Sequence, residues 1–473
     1  MSIVSWSVCR CRQRKPETPA ALILAATMSD PDLIAAVATP PGRGGVGIVR
    51  LSGQASALRE IAAGVARSAL PPPRQAVLRQ FLDDQSQPID EGLMLYFPAP
   101  HSYTGEHVLE LQGHGGPQVL QRLLFRCLAL GARIARPGEF TERAFLNGKL
   151  DLAQAEAVAD LINASSDRSA RAAANAVAGK FSELIQTLIS DIISLRTLVE
   201  GTIDFPEEEI DFLKETHAGE RLQRVRDSLS SVLKVSHAGR LLRDGLMVVL
   251  VGAPNVGKSS LLNCLAGEDL AIVTDVPGTT RDAIREVIAI DGVPIQIVDT
   301  AGLRETADAV ERIGIQRPWE MINKADVALL MTDAGSESFP AVAGQLPRHL
   351  KRITVINKID LTRKEAQREK LPDGDRVWLS AKTGAGIDLL KQALWDCAGA
   401  QPEGDTVFTA RSRHIDALQL ASTHLDRAAG LSGQLELFAE ELRLAHGALG
   451  KITGEFTADD LLGEIFSTFC IGK

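Results

Sequence analysis

The chain has 473 residues, more than one hydrophobic core supports, so roughly two to four domains are expected. With 45% hydrophobic and 23% charged residues it has a globular composition, which excludes a disordered or fibrous chain. A net charge of −9 excludes a uniformly basic nucleic-acid coat, so any nucleic-acid contact must use a local patch or a partner's surface.

No stretch reaches about 18 apolar residues, so no membrane span is expected. The six cysteines (Cys9, Cys11, Cys127, Cys264, Cys397, Cys470) are scattered without metal-ligand spacing, which suits a reducing cytosol. Residues 1–27 carry Arg10, Arg12, Arg14 and Lys15 before the short apolar run Ala20 to Ala26. That order resembles a targeting segment, but the run is short and no cleavage pattern follows. We read 1–27 as a disordered extension, or as a start-site misassignment with Met28 the true start.

Residues 28–147 alternate short strands and turns. Leu33 to Val37 and Val46 to Leu51 read as strands around the Gly-rich turn Thr39-Pro40-Pro41-Gly42-Arg43-Gly44-Gly45. Val108 to Leu111 is another strand, and Val119 to Leu130 an amphipathic helix. His114, between glycines, reads as structural. From 148 to 243 the chain is helical. Phe181, Ile185, Leu188, Ile192, Leu195 and Val199 form one apolar stripe, and helix resumes from about Arg221 to Leu242. The intervening Glu207-Glu208-Glu209 reads as a solvated loop.

Leu246 to Val251 is an unbroken apolar run, read as a strand buried on both faces. Gly252-Ala253-Pro254-Asn255-Val256-Gly257-Lys258-Ser259 follows, then Ser260-Leu261-Leu262 opens a helix. Strand, G-x-x-x-x-G-K-S and helix make a P-loop: the glycines let backbone amides curl around phosphate. Lys258 would reach the β- and γ-phosphates, and Ser259 would hold Mg²⁺.

The remaining motifs occur in the order a GTPase needs. Gly278-Thr279-Thr280-Arg281-Asp282 offers a mobile first switch, with Thr280 as a Mg²⁺ ligand and Thr274, Asp275, Val276 and Pro277 just before it as nucleotide contacts. A hairpin, Val287 to Ile290 and Val293 to Val298, delivers Asp299-Thr300-Ala301-Gly302, whose Asp299 meets Mg²⁺ through water. Ile353 to Ile356 delivers Asn357-Lys358-Ile359-Asp360. The Asp360 carboxylate can accept from both guanine donors, which adenine lacks. Ser380-Ala381-Lys382 would bring an amide to guanine O6. After Gly302, where Ras-like proteins place a water-orienting Gln, stands Leu303. Glu311 is a candidate for the missing role, and Asn255 a candidate ligand for a cation replacing an arginine finger. The α/β unit spans 244–399 and is inserted in a helical domain that continues over 400–473. In that second part Leu435, Phe438, Leu442, Ala445 and Leu449 form a stripe, and Thr457-Ala458-Asp459-Asp460 resembles a capping box.

Four segments carry a more specific resemblance: Thr39 to Gly47, Arg136-Pro137-Gly138-Glu139-Phe140-Thr141-Glu142-Arg143 to Asn147, Asp151 to Ala157, and Phe469-Cys470-Ile471-Gly472-Lys473. From about Met28 to Lys473 the chain resembles the MnmE (TrmE) family of tRNA-modification GTPases. The resemblance implies a multidomain α/β and all-α fold: an α/β folate-binding N-terminal domain that forms the homodimer, a central helical domain, and an inserted Ras-like GTPase domain. It implies a cytoplasmic enzyme that works with the FAD protein MnmG (GidA) and GTP. Together they install an aminomethyl or carboxymethylaminomethyl group at carbon 5 of the tRNA wobble uridine. A 5-formyl- or methylene-tetrahydrofolate is implied on Arg50, Glu110, Lys149 and Lys473. K⁺ is implied among Asn255, Thr274, Val276 and Thr279, with Glu311 as catalytic carboxylate and Cys470 in the chemistry of modification. Two readings of other classes remain on the residues alone: a GTP-switched ribosome-assembly factor, and a folate-binding regulator whose GTPase reports nucleotide state.

Overall fold

The computed structural model describes residues 32–204, 217–266, 285–299, 322–323, 325–335, 344–347, 350–362, 364–399, 408–431, 433–455, 462–463, 465–466, 469 and 472. Two compact units emerge, one of residues 1–149 with 462–473, the other of 150–461.

The first unit is built on a six-stranded sheet. Its elements are β1 (Ile34–Val37), β2 (Gly44–Gly53), α1 (Ala55–Ala66), β3 (Val77–Leu82), β4 (Pro88–Phe97), β5 (His107–Gly115), α2 (Pro117–Ala129), β6 (Arg133–Ile134) and α3 (Glu139–Leu146). The strand order is β3-β4-β5-β2-β1-β6, antiparallel except for the β1–β6 pair. Alternation along the strands sorts side chains to two faces. Val49, Leu51, Leu109 and Leu111 point into a core with Leu58 and Ile61 of α1 and Leu120 and Leu123 of α2. Arg50 and Glu110, one residue out of phase, face the other way. On that side Phe140 of α3 packs with Ile34 and Ala36.

The chain's last residues join this unit. Gly138, at φ +68°, lies so close to them that a Cβ there would sit 2.7 Å from the Phe466 carbonyl oxygen. The Phe466 and Phe469 rings meet at a tilt with centres 5.5 Å apart, and Phe466 also meets Phe145.

The second unit opens with helices α4 (Leu152–Ile162), α5 (Asp167–Val177), α6 (Lys180–Asp204) and α7 (Ala218–Asp244). Capping boxes start the first two, Asp151 with Gln154 and Ser166 with Ser169. A nucleotide-type sheet follows: β7 (Leu246–Gly252), α8 (Lys258–Ala266), β8 (Arg285–Ile290), β9 (Val293–Asp299), β10 (Val327–Asp333), β11 (Lys351–Asn357), α9 (Ile359–Thr362), β12 (Gln367–Glu369), β13 (Asp375–Trp378) and α10 (Ile387–Ala398). Its order is β12-β13-β11-β10-β7-β9-β8, parallel in the centre and antiparallel at both edges. β7 is central: Val248 and Leu250 enter one core while Val249 and Val251 enter another, which is why its sequence is unbroken apolar. Helices α11 (Ser412–Ala429) and α12 (Leu435–Thr453) then complete the bundle begun by α4–α7. The predicted stripe from Phe181 to Val199 is buried in it against Leu229, Leu418, Leu425, Leu442 and Leu449.

Buried charge ties the two halves of that bundle. Glu156 on α4 accepts from Arg413 at 2.6 Å and from His414 Nε2 at 2.8 Å, both more than 250 positions later in sequence. Burial alone would raise the Glu156 carboxyl, but the His414 and Arg413 bonds outweigh it and hold it well below the usual range. Burial drives His414 down, so it is neutral. Its Nδ1 accepts the Arg411 amide at 3.1 Å, which leaves the proton on Nε2 for Glu156. Asp160 accepts from both Arg243 and Arg411.

Candidate nucleotide and N-terminal sites

The loop after β7 has the geometry its glycines require. A Cβ on Gly252 would lie 2.9 Å from Val256 and 3.0 Å from Met331. Gly257 sits at φ +101°, and a Cβ there would come 2.4 Å from the Asn357 amide nitrogen. Asn255 is itself left-handed, at φ +62°. α8 begins at Lys258, so its first amides and its positive dipole end face the loop. The Lys258 ammonium donates to the Gly252 carbonyl at 2.9 Å, across the mouth of the loop. Ser259 and Ser260 are exposed at the helix start, where the Ser259 hydroxyl offers a hard oxygen of the kind Mg²⁺ takes.

β11 delivers Asn357, and just after it Lys358 and Asp360, to that loop. Asn357 is buried; its Nδ2 donates to the Val256 carbonyl at 2.9 Å and its Oδ1 accepts the Ala381 amide at 2.9 Å. Lys358, at φ +64°, donates to the Asn255 carbonyl at 2.8 Å. Ser380 Oγ donates to Asp360 Oδ1 at 2.6 Å, fixing the carboxylate while leaving its other oxygen for guanine donors. The structure therefore brings Asn255, Val256, Gly257, Lys258, Asn357, Lys358, Asp360, Ser380 and Ala381 into one constellation. The Ala381 amide is already given to Asn357, so a contact to guanine O6 from it would be shared. What the sequence reading missed is that Asn357 and Lys358 are braces for the phosphate loop; only their polar side chains beside a strand end hinted at it.

Asp299 ends β9 opposite Leu250, one strand over from the P-loop strand. Thr274, Asp275, Val276, Pro277, Gly278, Thr279, Thr280, Thr300, Ala301, Gly302, Leu303 and Glu311 lie outside the described residues, as do Cys470, Lys473 and the Thr457 to Asp460 motif.

In the first unit, Arg50 Nε donates to Glu110 Oε1 at 2.9 Å, and Gln112 donates to Glu110 Oε2 at 3.0 Å. The Arg50 guanidinium lies 5.8 Å from the Tyr103 ring centre and 5.9 Å from that of Phe140. Tyr103 shares a 2.8 Å hydrogen bond with Thr141, and burial pushes its phenol up. Lys149 approaches Gly105, in the loop that carries Tyr103: a Cβ on Gly105 would stand 3.3 Å from Lys149 Cγ. A carboxylate with spare lone pairs, a cation and two aromatic rings suit a pterin ring and an acidic tail. Sequence reasoning had no means to find Tyr103 or Phe140, because they reach the site from two separate segments. His114 on β5 is exposed, with Nδ1 and its own amide bonded to Asp90 of β4 at 2.7 Å.

Family models match twice: the GTP-binding protein TrmE N-terminus over residues 33–149, and the MnmE helical domain over 152–470. The chain is 58% identical to the tRNA modification GTPase MnmE of Thiobacillus denitrificans, over 94% of this chain and 98% of that one. It is 56% identical to the protein of the same description from Nitrosomonas europaea, over 94% and 100%. Among solved structures, the FeoB G-domain from Methanococcus jannaschii is 27% identical, covering 33% of this chain and 97% of that chain with a TM-score of 0.25.

Proposed function

The chain belongs to the MnmE family of tRNA modification GTPases, and from that premise we propose that it couples K⁺-stimulated GTP hydrolysis to modification of the tRNA wobble uridine. The observation that carries the nucleotide half is the braced constellation of Lys258, Asn357, Lys358 and Asp360 around one loop. GTP binds with its phosphates on the amides of Asn255 to Ser260 and its base on Asp360. Mg²⁺ is held by Ser259 and Thr280, with Asp299 through water. K⁺ sits among Asn255, Thr274, Val276 and Thr279 and supplies the positive charge that Ras-like proteins draw from an arginine. Glu311 orients the attacking water that Leu303 cannot.

The N-terminal unit binds a reduced folate through Arg50, Glu110, Lys149 and Lys473, supported by the ion pair and the two rings beside it. It also forms the homodimer. The one-carbon unit enters the modification together with the flavin protein MnmG, and Cys470 serves that chemistry rather than hydrolysis. The setting is the cytoplasm; no described helix is long and apolar enough to cross a membrane.

Hydrolysis measured in K⁺ and in Na⁺, for the full chain and its Glu311→Ala variant, tests the mechanism. Much faster turnover in K⁺, and a loss of roughly 10²-fold with Ala, are expected. Equal rates in both ions would redirect the search to Arg281 or Arg304. Mass spectrometry of wobble uridine in cells lacking the protein tests the pathway. Unmodified uridine supports it; intact modification supports the ribosome-factor or regulator reading.

A further inference from the structure

The β8–β9 turn is gripped from two sides. Asp291 and Gly292 both adopt positive φ, +51° and +77°, the pairing that a tight hairpin of right-handed twist requires. From the bundle, Ser166 Oγ donates to the Gly292 carbonyl at 2.6 Å, while the same oxygen accepts the Ser169 amide to cap α5. Arg168 donates to the Asp291 carbonyl at 2.7 Å. Its side chain lies against the turn so closely that a Cβ on Gly292 would come 2.5 Å from Arg168 Cδ. From the other side, buried Trp395 on α10 donates Nε1–H to Asp291 Oδ2 at 3.2 Å, and Lys391 stands 3.6 Å from Oδ1.

This turn is the far end of the elements that serve the nucleotide. β9 runs from Val293 to Asp299, roughly 20 Å of extended chain, and delivers Asp299 beside β7. β8 is the edge strand, and it follows directly on the segment that contains Thr274 to Thr280. Register in a hairpin is set at its turn, so whatever fixes the turn fixes where both strands end. A misplacement of about 1 Å at a reacting centre costs up to 10²-fold in rate even when its cause is distant.

We propose that Ser166 and Arg168 of the helical bundle are positioning residues for GTP hydrolysis, acting through the β8–β9 hairpin on Asp299. They touch neither nucleotide nor metal. Because Ser166 and Arg168 hold the turn directly, a shift of β8 between nucleotide states would be felt in α5. The inference rests on the GTPase activity assigned to the family, and its test separates the two.

Full-length wild type, Ser166→Ala/Arg168→Ala and Arg168→Lys are compared for affinity for a fluorescent GTP analogue, kcat in K⁺, thermal midpoint, and hydrogen exchange over 166–177 and 285–299. The double variant should bind nucleotide within about twofold of wild type but turn over roughly tenfold more slowly, with Arg168→Lys near wild type because an ammonium still reaches the carbonyl. In wild type, exchange over 166–177 should change between GDP and a GTP analogue, and in the double variant that response should vanish while the P-loop response persists. An unchanged kcat, a loss of affinity and thermal midpoint in parallel with kcat, or nucleotide-independent exchange over 166–177 in wild type would each overturn the proposal. Absence of GTP hydrolysis by the wild type itself would instead remove the family activity.

Discussion

The two units build their sites by opposite means. Around the P-loop, the proposed site is made of backbone: a seven-residue strand, two glycines and a helix start shape the loop, and side chains such as Asn357 and Lys358 hold that backbone in place. Around Arg50 and Glu110, the proposed site is made of side chains from β2, β5, α3 and the loop before β5, paired across 60 positions. A backbone site tolerates no added atom but survives changes in many of its side chains. A side-chain site does the reverse.

The sharpest way to break this contrast is a single methyl group. Gly257→Ala demands a left-handed alanine and drives its Cβ into Asn357, strain of about 1–3 kcal/mol, which is roughly 5- to 150-fold in nucleotide affinity. Titration with a fluorescent GTP analogue reads it; unchanged affinity would mean that the loop is not backbone-limited. In the other unit, Glu110→Gln keeps the shape and removes the charge. Loss of one charge-assisted bond predicts reduced-folate affinity lower by roughly tenfold or more in calorimetry, with GTP hydrolysis unaltered. Equal folate affinity would take Glu110 out of the site.

Acid should dissect the units in a fixed order. His414 is buried neutral and its pKa is depressed from 6.5, so the unfolded chain takes up a proton first. Its contribution is therefore present above about pH 6.5 and lost below it. In the first unit, burial opposes ionisation of Glu139, but the Arg133, Arg136 and Arg143 bonds prevail and hold its carboxyl at about 2. That contribution is complete above about pH 4.5 and disappears as pH falls towards 2. Hydrogen exchange in α11 should thus accelerate at higher pH than exchange in β5, and His414→Gln should move the α11 onset into the carboxylate range. The smallest effect is expected from Tyr103→Phe, which removes only the bond to Thr141 and should cost about 1 kcal/mol of stability in the first unit by denaturant titration.

The same contrast explains what could be read from the chain. The P-loop, Asn357 to Asp360 and Ser380 were legible because each motif is contiguous and the strand before it announces itself by an apolar run. The Phe181 to Val199 stripe was legible because burial repeats with the helix. Arg50 and Glu110 were named only through family resemblance, since no spacing links residues 60 apart. Tyr103 went unnamed, Phe140 stood only inside a resemblance segment with no role given, and β3 and β4 were not read as individual strands. The Glu156–Arg413–His414 cluster was invisible for the same reason: a buried carboxylate looks like any other until its partners are in place.

That cluster also sets a clock. At synthesis rates of 5–20 residues per second, the 258 positions between Glu156 and His414 take roughly 13 to 50 s to emerge. For that interval α4 to α7 have left the ribosome with an acidic group and an apolar stripe that lack their final companions. The inserted nucleotide sheet, whose strands lie between them in the message, has time to form first. A chain stalled once α10 has emerged but before α11 and α12 have would present a finished nucleotide-type sheet attached to an unfinished bundle, a species that the completed chain conceals.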